Sequence, residues 1–414
     1  MPRRKAQIAL TTAMIITSVL PSGILATPAA ARLAAPGCTS PLAPVEPVTE
    51  LPWAQQRYLP DRLTPLATGV GVTVAVIDSG VDNRHAQLRG RVLSGTDYLD
   101  QGRDGNLDCA GHGTAVASII AATERDGTGF RGLAPQAKIL PVRISEQQII
   151  EGRESGRTVT AAQFARAIRW AVDHDATVLN LSVVLYEDSP AVREAIAYAV
   201  EKDVVVVAAV GNLHENGDPR PYPAAYAGVL GVGAIGADGN RAPFSQVGSY
   251  VDVVAPGSGV LAAAPGRGHR KQDGTSYAAP FVSATAALVR QYRPALTAAQ
   301  VIERILATAD PAPAGEHSTA YGRGTLNPYR AVTDTGAVGN PQPARALPAH
   351  QVDPAVVAQE ERRGTARHRA LWLAGVAGTV AVLVVLLAVV LPRGARRRWR
   401  PAGPTETTQL PPAS

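Results

Sequence analysis

Between residues 68 and 332 the chain alternates two kinds of stretch. Residues 72–77, 138–144, 177–182, 204–209 and 229–235 are apolar runs of strand length, rich in Val, Ile and Leu. Such runs predict strands buried on both faces, the environment of a parallel sheet. Between them the apolar spacing turns helical, at residues 160–173 and 190–202. Thr160 is placed as the N-cap of the first helix, with Gln163 at the reciprocal position of a capping box. This alternation predicts an α/β domain over residues 66–332, a parallel sheet with helices on both faces. No internal repeat is visible.

Two further apolar stretches lie at the ends. Arg3, Arg4 and Lys5 precede an uncharged apolar run to about residue 26, and Ala29 and Ala31 supply a small-residue cleavage pattern. Residues 1–31 are therefore expected to be a secretory signal peptide, interrupted by Pro21 and Gly23 in a way that disfavours an uncleaved anchor. Residues 371–391 carry no charge over 21 positions. As a helix they would be ~31 Å long, which matches a hydrocarbon core. Arg393, Arg396, Arg397, Arg398 and Arg400 follow, so the positive-inside preference puts residues 392–414 in the cytoplasm as a basic tail. The expected topology is single-pass, type I, with the globular domain outside the cell membrane. Residues 32–65 form a Pro-rich extension, with Pro41, Pro44, Pro47 and Pro52, and residues 333–370 form an Ala/Pro-rich linker.

Composition narrows the function classes. Of 414 residues 46% are apolar, enough for a large core, and the net charge of +6 is concentrated at the termini. No basic patch is interleaved with aromatics, so nucleic acid is not an expected partner. No dense carboxylate loop points to a metal, and no cofactor is called for.

Four segments carry candidate chemistry. Asp78 ends an apolar strand and is followed by Ser79 and Gly80. A carboxylate there lies at the rim of a sheet where sites form, although an Asp ending a strand in a turn has the same pattern. His112 stands between Gly111 and Gly113 at the start of a helical run, a setting the other seven histidines lack. Ser276, in Gly274-Thr275-Ser276-Tyr277-Ala278-Ala279-Pro280, opens a long apolar helix. A serine there can be a plain N-cap, or a nucleophile served by the helix dipole and exposed N–H groups. Asn212 follows the buried run ending at Val210 and can donate an amide hydrogen bond into the same rim.

In chain order, with Asn212 between His112 and Ser276, the segments resemble the subtilase signatures: V-I-D-S-G, H-G-T, G-N and G-T-S-x-A-x-P. The resemblance spans about 265 residues and implies a subtilisin-like fold and a serine endopeptidase. It implies that Ser276 attacks the scissile carbonyl, His112 moves the proton and Asp78 holds the imidazole. Asn212 and the Ser276 N–H would stabilise the oxyanion. The segment matching the family's Ser-Leu-Gly substrate strand reads Ser182-Val183-Val184 here. Valine in place of glycine is expected to narrow the first specificity pocket and restrict the range of protein substrates.

The layout of signal peptide, short extension, protease domain, Pro-rich linker, anchor and basic tail resembles the mycosins, the subtilases of actinobacterial type VII secretion. That resemblance implies a disulfide between Cys38, in the extension, and Cys109, three residues before His112. A chain with an exported cysteine pair is consistent with this, against the rival reading of Cys38 as a lipidation site. This chain has neither the second cysteine pair nor the long loop after the His region that mycosins often carry. Two functions are expected to compete: an active peptidase cutting exported proteins, and a protease-like scaffold that stabilises a secretion membrane complex with catalysis dispensable.

Overall fold

The structure is a computed structural model describing residues 45–150, 153–313, 315, 318–336 and 391–393. The chain divides after Pro341, and the fold below belongs to the first part. The strands are β1 (Thr73–Asp78), β2 (Thr96–Asp97), β3 (Lys138–Arg143), β4 (Gln148–Ile150), β5 (Arg153–Ser155), β6 (Val178–Leu181), β7 (Val205–Ala209), β8 (Val229–Ile235), β9 (Val253–Pro256), β10 (Val260–Ala263) and β11 (His269–Gln272). The helices are α1 (Trp53–Tyr58), α2 (Pro60–Leu63), α3 (His112–Ala121), α4 (Ala161–Asp173), α5 (Pro190–Glu201), α6 (Thr275–Tyr292), α7 (Ala298–Ala307) and α8 (Pro328–Thr333).

Seven strands form one sheet in the order β2-β3-β1-β6-β7-β8-β9, every neighbouring pair parallel. Because side chains alternate along a strand, each strand feeds two cores. Val74 and Val76 of β1 pack with α3 and α6, whereas Ala75 and Ile77 pack with α4 and α5. Both sheet faces are thus covered, which is why the sequence runs read as continuously apolar. The Thr160–Gln163 capping box forms as expected.

The extension is partly integrated into the domain. Ala54, Tyr58 and Leu63, from α1 and α2, are buried in the same core as α6, so the packed body begins before residue 66. After β3 the chain forms the antiparallel β4–β5 hairpin. Among the described residues no helix is long and apolar enough to cross a membrane. The expected span at 371–391 lies outside them except for Leu391, as do the expected signal peptide and Cys38.

Candidate active site

The candidate residues gather at the carboxyl edge of the sheet. Asp78 is the last residue of β1, Ser182 follows β6 directly and Asn212 comes three residues after β7. Two helix N-termini point at the same edge: His112 is the first residue of α3 and Ser276 the second of α6. Open parallel sheets form crevices at this edge, and helix starts supply N–H groups that no intrahelical carbonyl takes up.

His112 Nδ1 and Asp78 Oδ1 are 2.7 Å apart. Asp78 is buried, and its Oδ1 also accepts the Ser79 N–H at 2.6 Å. This contact depends on Gly113, where an added Cβ would sit 2.1 Å from the Gly80 carbonyl oxygen and 3.2 Å from Asp78 Oδ1. The glycine lets α3 press onto the end of β1. Burial alone would lower the His112 pKa. The charge and hydrogen bond of Asp78, aided by the charge of Asp108, outweigh it and hold the imidazole above its ordinary value. The His112 ring packs on Tyr277, centroids 5.1 Å apart, and Tyr277 is the neighbour of Ser276 in α6.

The Ser276 hydroxyl donates to the Ser182 carbonyl at 3.2 Å, while the Ser182 hydroxyl donates to the Ser276 carbonyl at 2.9 Å. Asn180 Nδ2 donates to the Ser182 hydroxyl, and Ser283 donates to Asn180 Oδ1, both at 2.9 Å. A buried polar chain thus fastens the first turns of α6 to β6. Asn212 is oriented by Thr275, whose N–H and hydroxyl both donate to Asn212 Oδ1, at 2.9 and 3.0 Å. With its oxygen fixed, the amide nitrogen is turned outward as a donor. Gly274, φ 149°, brings the chain close enough that an added Cβ would lie 3.4 Å from Asn212 Nδ2.

Val183 and Val184 continue the β6 line and are half-buried, Val184 against one core and Val183 against the other. Cys109 is disulfide-bonded, and Cys38, its expected partner, lies outside the described residues. No group of three metal-ligating side chains occurs among the described residues. Sequence reasoning missed Thr275 and Asn180, although Thr275 sat inside the motif around Ser276. Their roles depend on contacts made 63 and 103 residues away.

The arrangement can supply a hydroxyl nucleophile, an imidazole base held by a carboxylate, and an oriented amide donor. The subtilase family matches residues 69–324. A thermophilic serine proteinase of Bacillus sp. (strain AK1) is 39% identical over 64% of this chain and 62% of its own length. Mycosin-4 of Mycobacterium tuberculosis (strain ATCC 25618 / H37Rv) is 36% identical over 82% of this chain and 81% of its own length. The crystal structure of MycP1 from the ESX-1 type VII secretion system superposes with a TM-score of 0.63 at 30% identity, covering 74% of this chain and 93% of that one.

Proposed function

The chain belongs to the subtilase family of serine endopeptidases, and on that premise we propose that it cuts exported proteins beside a type VII secretion complex, anchored in the cell membrane by residues 371–391. Asp78, His112 and Ser276 are its triad and Asn212 its oxyanion donor. The observation that carries this reading is the 2.7 Å His112–Asp78 contact at the start of α3, next to α6 with Ser276 in its first turn.

His112 donates from Nδ1 to Asp78, which leaves Nε2 with a lone pair to take a proton. The Ser276 hydroxyl, parked on the Ser182 carbonyl, turns toward that nitrogen when substrate arrives; resting contacts at such sites are often longer than reactive ones. Oγ then attacks the scissile carbonyl carbon. The oxygen, now anionic, receives hydrogen bonds from Asn212 Nδ2 and the Ser276 N–H. His112 passes its proton to the leaving amine, and water repeats the sequence to release the acyl half. The Asp78 carboxylate stabilises the transient imidazolium and keeps its own charge.

The scaffold reading also has support, because the solved relative of similar shape comes from a type VII secretion system. Ser276→Ala separates the two. Mass spectrometry of secreted protein termini is expected to show an uncut substrate in the variant. Full processing without Ser276 would remove the peptidase reading, and normal secretion with unprocessed substrate would show both roles.

A further inference from the structure

Strands β6 and β7 pair from Val178↔Val205 to Leu181↔Ala208. The segments that continue them, 182–186 and 210–213, both touch the first turn of α6, so they stand as two walls with Ser276 at the mouth between them. On the β6 wall the Ser276 hydroxyl touches the Ser182 carbonyl. On the β7 wall the Thr275 hydroxyl accepts the Gly211 N–H at 3.1 Å and donates to Asn212.

One side chain reaches from the first wall to the second. The Tyr186 hydroxyl donates to Gln246 Oε1 at 3.2 Å, and that oxygen also accepts the Leu213 N–H at 3.3 Å. A Cβ on Gly211 would lie 3.1 Å from the phenol oxygen, so the ring's tip lies against the β7 wall. Gln246 is a fixed post: it is fully buried, its Nε2 donates to the Pro219 carbonyl at 2.7 Å and its backbone N–H to the Gly211 carbonyl at 3.2 Å. The base of Tyr186 is fixed too, since Leu185 and Tyr222 exchange N–H···O bonds of 2.7 and 2.8 Å. Yet Tyr186 itself is 41% exposed, as a ring bordering open space would be.

A substrate carbonyl attacked by Ser276, with its oxygen toward Asn212, has contacts on both walls at the mouth. The side chain of that acyl residue then descends between them. We infer that Tyr186, braced by Gln246, is the end wall of this pocket, and that the enzyme cleaves after small, uncharged residues such as Gly, Ala or Ser. Neither wall, Ser182-Val-Val-Leu-Tyr186 or Val210-Gly-Asn-Leu213, carries a charge, so a Lys, Arg, Asp or Glu side chain would be desolvated there without a partner.

This inference rests on the peptidase reading, and three probes keep the two apart. The full-length protein is treated with a plain alkyl fluorophosphonate, which needs only a reactive Ser276, and with peptidyl phosphonates bearing Ala or Phe next to phosphorus. In each case Ser276 Oγ bonds to phosphorus, the leaving group departs from it, and His112 takes the hydroxyl proton. The Ala probe is expected to label at least about tenfold faster than the Phe probe, the scale on which pockets discriminate by size. Tyr186→Gly should raise the Phe/Ala rate ratio by about tenfold or more, whereas Tyr186→Phe, which keeps the ring, should hold the wild-type preference. Equal rates for Ala and Phe in the wild type overturn the inference, as does an unchanged ratio in a Tyr186→Gly protein that reacts with the plain probe. If Tyr186→Gly does not fold, Tyr186→Ser and the wild-type ratio decide it. No reaction with the plain probe overturns the peptidase reading, and this inference with it.

Discussion

The Asp108 carboxylate meets the Ser79 hydroxyl at 2.8 Å, directly behind the Asp78–His112 contact. Asp108 Oδ1 also accepts the Gly111 N–H, and Oδ2 accepts the N–H and hydroxyl of Thr114. The Ser79 hydroxyl in turn accepts the Gly113 N–H at 2.9 Å. One buried carboxylate therefore holds both the start of α3, with His112 on it, and the residue after Asp78. Burial raises its pKa to about 6 despite these donors.

Replacing that carboxylate by an amide has two expected effects. In Asp108→Asn the amide nitrogen faces donors of Thr114 or Gly111, so the His112 end of α3 loosens and kcat falls by about tenfold, the loss of one charged hydrogen bond. The second effect is on pH. His112 must be neutral to act as base, and its raised pKa puts the acid limb of activity above about 6.5, the ordinary imidazole value. Removing the Asp108 charge lowers that pKa and moves the limb to lower pH. A kcat/KM profile against pH measures both, and an unmoved limb in a folded variant rules out this coupling.

Asn212 and Thr275 should behave as a donor and its support. Asn212→Ala is expected to lower kcat by about 10²–10³ with little change in KM, the loss that follows removal of an oxyanion-hole asparagine in subtilisin. Thr275→Val keeps the N–H bond to Asn212 but deletes the hydroxyl bond and strips the Gly211 N–H of its acceptor. Its expected loss in kcat is smaller, about tenfold. Steady-state kinetics on one peptide substrate distinguishes the two, and a Thr275→Val protein with wild-type kcat would remove Thr275 from the account.

Much of this was readable from the chain and some was not, for physical reasons. The central strands were legible because β1, β6, β7 and β8 are buried on both faces and their apolar runs are unbroken. By contrast β9 is four residues ending in Pro256, and β11 after its buried His269 reads Arg-Lys-Gln, with only Lys271 exposed and no apolar signature. The helix α7 did carry a signal, a capping box of Thr297 and Gln300, that the apolar period alone did not flag. Asp78, His112, Asn212 and Ser276 were visible because their backbone settings leave local motifs. Gln246, Tyr186 and Asp108 leave none: each acts through partners fixed only when β6, β7 and α3 reach the same sheet edge.

Stability should depend on a charge network beside the site. Arg143, level with Asp78 across the β1–β3 register, is fully buried and binds Asp97 at 2.7 Å, Asp100 at 3.1 Å and Glu146 at 2.7 Å. Arg157, half exposed, joins Asp100 and Glu146 from outside. Arg143→Ala strands the buried Asp97 carboxylate and should cost about 3–5 kcal/mol, whereas Arg157→Ala should cost no more than about 1 kcal/mol. The hydrogen bonds of Arg157, ahead of the hydrogen bond of Arg143 to Asp100 and the charge of Arg143 near Glu146, hold Asp100 and Glu146 below the ordinary carboxylate range. Their contribution is therefore complete at neutral pH and is lost as pH falls below about 4. Urea titrations at pH 7 and below measure it, and Arg157→Ala should flatten the acid slope.

The N-terminal extension should detach under acid before the sheet does. Residues 45–51 lie along the β10–β11 hairpin: Val45 N–H donates to the Arg267 carbonyl at 3.2 Å, and Val48 N–H donates to His269 Nδ1 at 3.3 Å. That ring nitrogen can accept only if unprotonated. His269 Nε2 is then the donor, 2.6 Å from Gln87 Oε1, and the neighbouring His85 likewise accepts the Gln87 N–H at Nδ1. Burial, then the charge of His85, pushes His269 down to about 4; burial lowers His85 as well, against the Gly268 carbonyl and the Asp82 charge. Glu46 and Arg267, paired at 2.7 Å, add an ion pair to this contact, and Glu50, Arg270 and Lys271 lie on the same two segments. Because both folded histidines have lowered pKa values, the unfolded chain binds protons first. The docking is fully stable above about 6.5 and weakens as pH falls toward 4. Protonation of His269 turns its acceptor into a donor facing the Val48 N–H, so that bond is lost first. Hydrogen exchange on the full chain, corrected for intrinsic rates, should show residues 45–51 losing protection between pH 6 and pH 4 while β1 and β7 keep theirs, by about the full difference between local and global opening. His269→Gln, which offers an amide oxygen whatever the pH, should remove the part of the dependence that His269 carries and leave only that of His85. Constant protection of Val48 across that range in the wild type would mean that the imidazole does not hold the extension.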